Sequence, residues 1–87
     1  MKPRVRFTRH AMAKFSILAA HGFPITQEQV LETLASPARI EDHTDELIAQ
    51  KRISPTHVLR VVYRLEGGEL VVITFYPGRR TRYEDTL

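Results

Sequence analysis

The side chains best suited to chemistry are arginines and a tyrosine in the last third of the chain. Arg60 and Arg64 are spaced to leave one face of a strand, and Arg79, Arg80, Arg82 and Tyr83 follow just past the end of the next strand. A guanidinium is a planar fork of N–H donors that matches phosphate oxygens, and both it and a phenol ring offer a flat surface to an unpaired base. Such a set suits single-stranded RNA. The same residues also fit a plainer arrangement, in which Arg60 lies on the ring of Phe75 opposite it and the other arginines serve solubility.

The histidines offer less. His10 and His21 share a helical stripe with Lys14 but stand eleven residues apart, about 16 Å along a helix axis, which is too far for one metal ion. His43 sits among Glu41, Asp42, Asp45 and Glu46, where a cation could bind, although a solvated hairpin turn accounts for the same cluster. His10, opening the first helix beside a basic strand, is the candidate for proton transfer because an unperturbed imidazole titrates near neutrality. A hydrogen bond to backbone is its plainer role. Ser16, Ser36 and Ser54 stand in no nucleophile-elbow pattern, and Gly67-Gly68 reads as a hairpin turn rather than a phosphate-cradling loop. With no cysteine, thiol nucleophiles and thiolate metal sites are excluded, and no metal or cofactor is expected.

The elements that must position these groups are legible in outline. Lys2 to Phe7 alternates as a short strand with Arg4 and Arg6 on its outer face. Thr8 caps a first helix over about Arg9 to His21, and Gly22 ends it. Its core arc holds Ala11, Met12, Phe15, Leu18 and Ala19. Thr26 and Gln29 form a capping box for a second helix, with Ile25 packing on Val30, and Val30, Leu31, Leu34 and Ala35 face inward. Ser36 before Pro37 stops it. Strands are expected at Ala38 to Asp42, Leu47 to Ile53, His57 to Leu65 and Glu69 to Tyr76, the last two joined through Gly67-Gly68.

Pairing Leu65 with Leu70 puts Leu59, Val61, Tyr63, Val72, Thr74 and Tyr76 on one face, with Arg60, Val62, Arg64, Val71, Ile73 and Phe75 on the other. Residues 77–87 lack periodicity. The expected fold is therefore α+β: one domain over residues 1–87, with two N-terminal helices on one face of a mainly antiparallel sheet of four or five strands. Phe15, Leu18, Val30, Leu34, Val61, Tyr63 and Val72 form its core.

Charge is arranged in blocks. Residues 1–27 hold five basic side chains and no acid; residues 28–50 hold six acids against Arg39; residues 51–82 hold seven basic side chains against Glu66 and Glu69. If the two basic blocks meet, the local field exceeds what the net charge of +3 suggests, and phosphate-bearing partners suit such a field. The apolar runs are too short for a membrane span and no signal-peptide core opens the chain, so a cytoplasmic protein is expected, with no membrane partner.

The order strand, helix, helix, sheet, with the segments Leu59-Arg60-Val61-Val62-Tyr63-Arg64, Glu69-Leu70-Val71-Val72-Ile73-Thr74 and Gly78-Arg79-Arg80 with Tyr83, resembles the RelE/ParE toxin superfamily. The start Phe7-Thr8-Arg9-His10-Ala11 looks like a small uncharacterised family placed near it. The resemblance implies a metal-independent endoribonuclease acting on free RNA or at the ribosome and restrained by an antitoxin. Carried over by position, Arg60 and Arg79 or Arg80 hold phosphate, Tyr83 stacks or assists proton transfer, and Lys51 and Arg52 extend the cationic surface; the reading of the residues themselves adds Arg64, Arg80 and Arg82 to that surface and His10 as an auxiliary. Two other readings use the same residues. One is a non-catalytic module for nucleic acid or an acidic peptide; the other is a scaffold that pairs, for instance as a homodimer, through an apolar patch of Val62, Val71, Ile73 and Phe75.

Overall fold

A computed structural model describes residues 3–84. Strand β1 (Arg4–Phe7) leads into α1 (Arg9–Ala20) and α2 (Gln27–Ala35); β2 (Arg39–Asp42), β3 (Leu47–Arg52), β4 (His57–Glu66), β5 (Glu69–Arg79) and the one-turn α3 (Arg80–Tyr83) follow. The strands form one sheet in the order β1-β5-β4-β3-β2. The fold is α+β, with three helices and a five-stranded mixed sheet among the described residues. Lys2, expected in the first strand, and the last residues of the expected tail lie outside the described residues.

The arrangement of strands and helices differs from the sequence expectation in two respects. The sheet is mixed rather than mainly antiparallel, because β1 does not join its sequence neighbour β2 but crosses to the far edge and runs parallel to β5. The helices are not confined to the N-terminal half either. Pro77 to Arg79 extend β5, and Arg80 to Tyr83 form α3, a single turn too short to leave a periodic signature.

The capping signals explain where the helices stand. The Thr8 side chain accepts from the Ala11 N–H, its own N–H donates to the Val72 carbonyl at 3.0 Å, and its hydroxyl donates to the Ile73 carbonyl at 3.2 Å. One threonine thus caps α1 and fastens it to β5. Gly22 takes φ +88° after the helix, the left-handed conformation that glycine adopts without a Cβ penalty. The capping box of Thr26 and Gln29 is complete.

Both long helices lie on one face of the sheet. Ala11, Leu18, Ile25 and Val30 meet Leu59, Val61, Val72 and Phe75 in a single core, with Phe15 and Leu34 packed at its margin. Met12 and Leu31, expected inside, are 47% and 40% exposed. Thr33 is buried instead, since its hydroxyl bonds back to the Gln29 carbonyl at 2.8 Å and brings no unpaired polar atom into the core. No helix among the described residues is long and apolar enough to cross a membrane.

The largest correction is a register shift between β4 and β5. Leu65 pairs with Leu70 and Tyr63 with Val72, but Val62 pairs with Thr74, so β5 carries one extra residue at Ile73. A bulge of this kind reverses the inside and outside of everything beyond it. Phe75 therefore turns inward opposite Val61 and is fully buried, its ring tilted against that of Phe15 with centroids 4.6 Å apart. Tyr76 turns outward opposite Arg60. The expected exposed patch loses its aromatic member, and with Val71 also fully buried no broad apolar surface remains there. Phe75→Ala should destabilise the fold by about 3–5 kcal/mol in urea unfolding, the range for emptying a buried aromatic site; a loss below about 1 kcal/mol would put the ring outside the core.

Candidate functional site

The sheet face turned away from α1 and α2 is organised around Arg60. Although 4% exposed, Arg60 has all three nitrogens engaged. Its Nε donates to the Tyr76 hydroxyl at 3.0 Å, its two terminal nitrogens donate to the two Glu41 oxygens at 2.9 and 3.1 Å, and one of them also donates to Gln50 Oε1. The Tyr83 ring covers the guanidinium at 4.2 Å. Each partner comes from a different element: Glu41 from β2, Gln50 from β3, Tyr76 from β5 and Tyr83 from α3. The Arg60 hydrogen bonds hold the Glu41 carboxyl down at about 2. Burial works to lower the Arg60 pKa, and the bonds to Glu41 and Tyr76 outweigh it, so this guanidinium stays charged.

That network seats α3. The Tyr83 carbonyl accepts from Arg39 at 3.0 Å and from Gln50 at 3.4 Å. Beneath the Tyr83 ring is Gly78, where any Cβ would overlap the ring carbons; the close approach requires glycine. Helix α3 is thereby folded back over the sheet end, where Arg79, Arg80 and Glu84 meet Arg52 of β3 and Pro55 and Thr56 of the β3–β4 loop.

These residues line an open cleft of about 620 Å³. Glu84 accepts from Arg52 through two nitrogens at 3.1 Å each and from Arg80 Nε at 2.6 Å. These bonds, Arg52 first, lower its pKa. Arg80 also donates to the Pro55 carbonyl at 2.7 Å. The Arg79 side chain is exposed and, among the described residues, has no hydrogen-bond or ion-pair partner. Among the described residues, three arginines face one carboxylate in the cleft.

The sequence candidates divide accordingly. Arg52, Arg79 and Arg80 come together in the cleft, while Arg82 does not line it and lies 5.4 Å from the Tyr83 ring. Arg60 lies under Tyr83 as a structural ion, not on the ring of Phe75. Arg64 is remote from the cleft: it pairs with Val71 while Arg79 pairs with His57, a separation of seven residues or about 23 Å along β4, and it binds Glu66. The single positive surface expected from Arg60, Arg64, Arg79 and Arg80 is thus split. Lys51 points to the helical side and binds Glu32 of α2 at 2.8 Å. His10 is exposed on α1, so the sheet lies between it and Tyr83. His43 Nε2 lies 3.3 Å from Glu41, and among the described residues no three His, Asp or Glu side chains gather as a metal site would need.

Gln50 and Glu84 are not among the candidates that the sequence offers, and Glu41 figures there only as a neighbour of His43. Glu84 stands four residues after Arg80, the helical ion-pair spacing, which is a readable signal. Glu41 and Gln50 depend on strand pairing across β2, β3 and β4, to which sequence spacing gives no guide. No protein-family model, no curated protein and no solved structure matches the chain.

Two outcomes follow for the network. Because the Glu41 pKa is depressed from 4.5 to about 2, its contribution is complete above about 4.5 and disappears as pH falls through about 2. Glu41→Gln should flatten the acid limb of the stability profile in that window, and Glu41→Ala, which strands a buried cation, should cost about 3 kcal/mol at neutral pH by denaturant titration. Gly78→Ala should displace the Tyr83 ring, visible as lost Tyr83-to-Arg60 contacts in NMR; an unmoved ring would mean that the close approach is not fixed by glycine.

Proposed function

We propose that the domain binds single-stranded RNA, with backbone phosphates held in the cleft by Arg52, Arg79 and Arg80 and with Arg82 and Tyr83 at its margin. The observation that carries this reading is the convergence of β3 and the β5–α3 corner, which gathers three arginines from distant parts of the chain around one open depression. Phosphate oxygens suit the guanidinium fork, and an unpartnered Arg79 is free to meet them. The strand, helix, helix, sheet order supports the RelE/ParE-like reading of the fold, in which RNA, free or ribosomal, is the target and an antitoxin the natural partner.

Binding, rather than cleavage, is what the geometry favours. Attack by a ribose 2′-OH needs a proton acceptor beside the cations. His10 lies across the sheet, Arg60 is enclosed in its own network, and the Glu84 carboxylate is already shared by two arginines, which hold it in its weakly basic form.

Fluorescence anisotropy with a labelled oligoribonucleotide across a salt series tests the proposal. Affinity should fall steeply with salt, and Arg79→Ala should weaken binding and flatten the log–log slope by about 0.7, the value of one single-strand phosphate contact. Arg64→Ala should leave the slope unchanged. A salt-independent affinity, or no binding at low salt, would overturn the reading. RNA cleavage in EDTA that is lost in Tyr83→Phe would replace it with the nuclease reading.

A further inference from the structure

Glu84 sits where a ligand anion would sit. Three N–H donors converge on its carboxylate, two from Arg52 and one from Arg80, and the two oxygens are spaced as the non-bridging oxygens of a phosphodiester are. Arg80 is placed independently of Glu84, and Arg52 stems from a strand that Glu84 does not hold. Arg80 is held by the Pro55 carbonyl at 2.7 Å and by its own backbone N–H on the Thr56 carbonyl at 2.9 Å, and Arg52 projects from paired strand β3. The helix turn that carries Glu84 is likewise anchored elsewhere, through Tyr83 on Arg60, Arg39 and Gln50. The carboxylate can therefore leave its arginines without releasing α3.

We infer that Glu84 is an internal competitor: it occupies a phosphate subsite built by Arg52 and Arg80, and an RNA phosphodiester binds by taking its place. This rests on the RNA-binding reading above and adds to it the position of one phosphate and a built-in brake on affinity. Arg79, which Glu84 does not touch, serves as the entry contact, and the exchange at Arg52 and Arg80 follows. No bond is made or broken; one anion replaces another on the same three donors.

The test compares the full chain with Glu84→Gln and with Glu66→Gln, which removes the same charge at the far end of β4, where Glu66 binds Arg64 and Arg6. The probe is a short labelled oligouridylate at constant moderate salt. Glu84→Gln should bind about tenfold more tightly, the scale of one charge-assisted pair no longer competing, while Glu66→Gln should change affinity less than about twofold.

Binding by Glu84→Gln where the wild type shows none would also support the inference, as a brake that is complete. If the wild type binds and Glu84→Gln binds equally or less well, the inference fails and the RNA reading stands. An equal gain in Glu66→Gln would assign the effect to bulk charge and overturn the inference. If neither wild type nor Glu84→Gln binds, both fall together. Should Glu84→Gln melt below the assay temperature, the wild type decides by NMR. Nε–H signals of Arg52 and Arg80 that shift on adding the oligouridylate, while that of Arg60 stays fixed, support the exchange; unmoved Arg52 and Arg80 signals overturn it.

Discussion

A guanidinium taken out of water must find partners for its nitrogens and for its charge, and Arg60 obtains them from four separate elements. Glu41, Gln50, Tyr76 and Tyr83 reach it from β2, β3, β5 and α3. Desolvating such a pair is expensive, so its net contribution to stability is modest even though removing one partner is severe. Its effect is to make alternatives costly. A β2 edge shifted by one residue withdraws Glu41, and an α3 folded elsewhere uncovers the ring-shielded face of the cation. The short edge strand and the one-turn helix are too small to hold position by apolar burial alone, and Arg60 gives both a fixed seat.

The bulge at Ile73 is what makes this network attainable. Without the extra residue, Phe75 would stand opposite Arg60 and Tyr76 would enter the core with its hydroxyl unpaired. With it, the apolar ring closes the core against Phe15 and the phenol supplies an acceptor to Arg60. Thr8 binds the two carbonyls at that point, Val72 and Ile73, so the first helix is tied to the place where the strand changes face. Core packing on one side and polar pairing on the other are thus two consequences of a single inserted residue.

This also marks the boundary of what could be read from the chain. Caps and turns are local chemistry, and Thr8, Gly22, the Thr26–Gln29 box and the Gly67-Gly68 turn stand where their residue types indicate. The Leu65–Leu70 pairing follows from the turn and holds as far as Tyr63. Beyond it the alternation in Val71 to Tyr76 contains no sign of a bulge, because every residue there is a good strand former on either face. The inward and outward assignments of Phe75 and Tyr76 were therefore exchanged. The site suffered likewise: Arg79 and Arg80 were identifiable from their closeness in sequence, but whether an arginine is free or consumed depends on acids brought in by non-local pairing.

Pairing, not net charge, decides where a cationic surface survives on this domain. Two acids of the stretch between Glu28 and Glu46 are spent on cations: Glu41 neutralises Arg60 and Glu32 binds Lys51. On the opposite flank Glu66 and Glu69 engage Arg6, and Glu66 also engages Arg64. Surface pairs of this kind add little to stability, yet each removes a cation from the field available to a distant anion. At the cleft the balance differs, since among the described residues one carboxylate faces Arg52, Arg79 and Arg80. The excess positive charge there follows from the sheet order, which sets the end of β3 beside the β3–β4 loop and the close of β5, and from α3, which folds that corner back over the sheet instead of letting its arginines disperse into solvent.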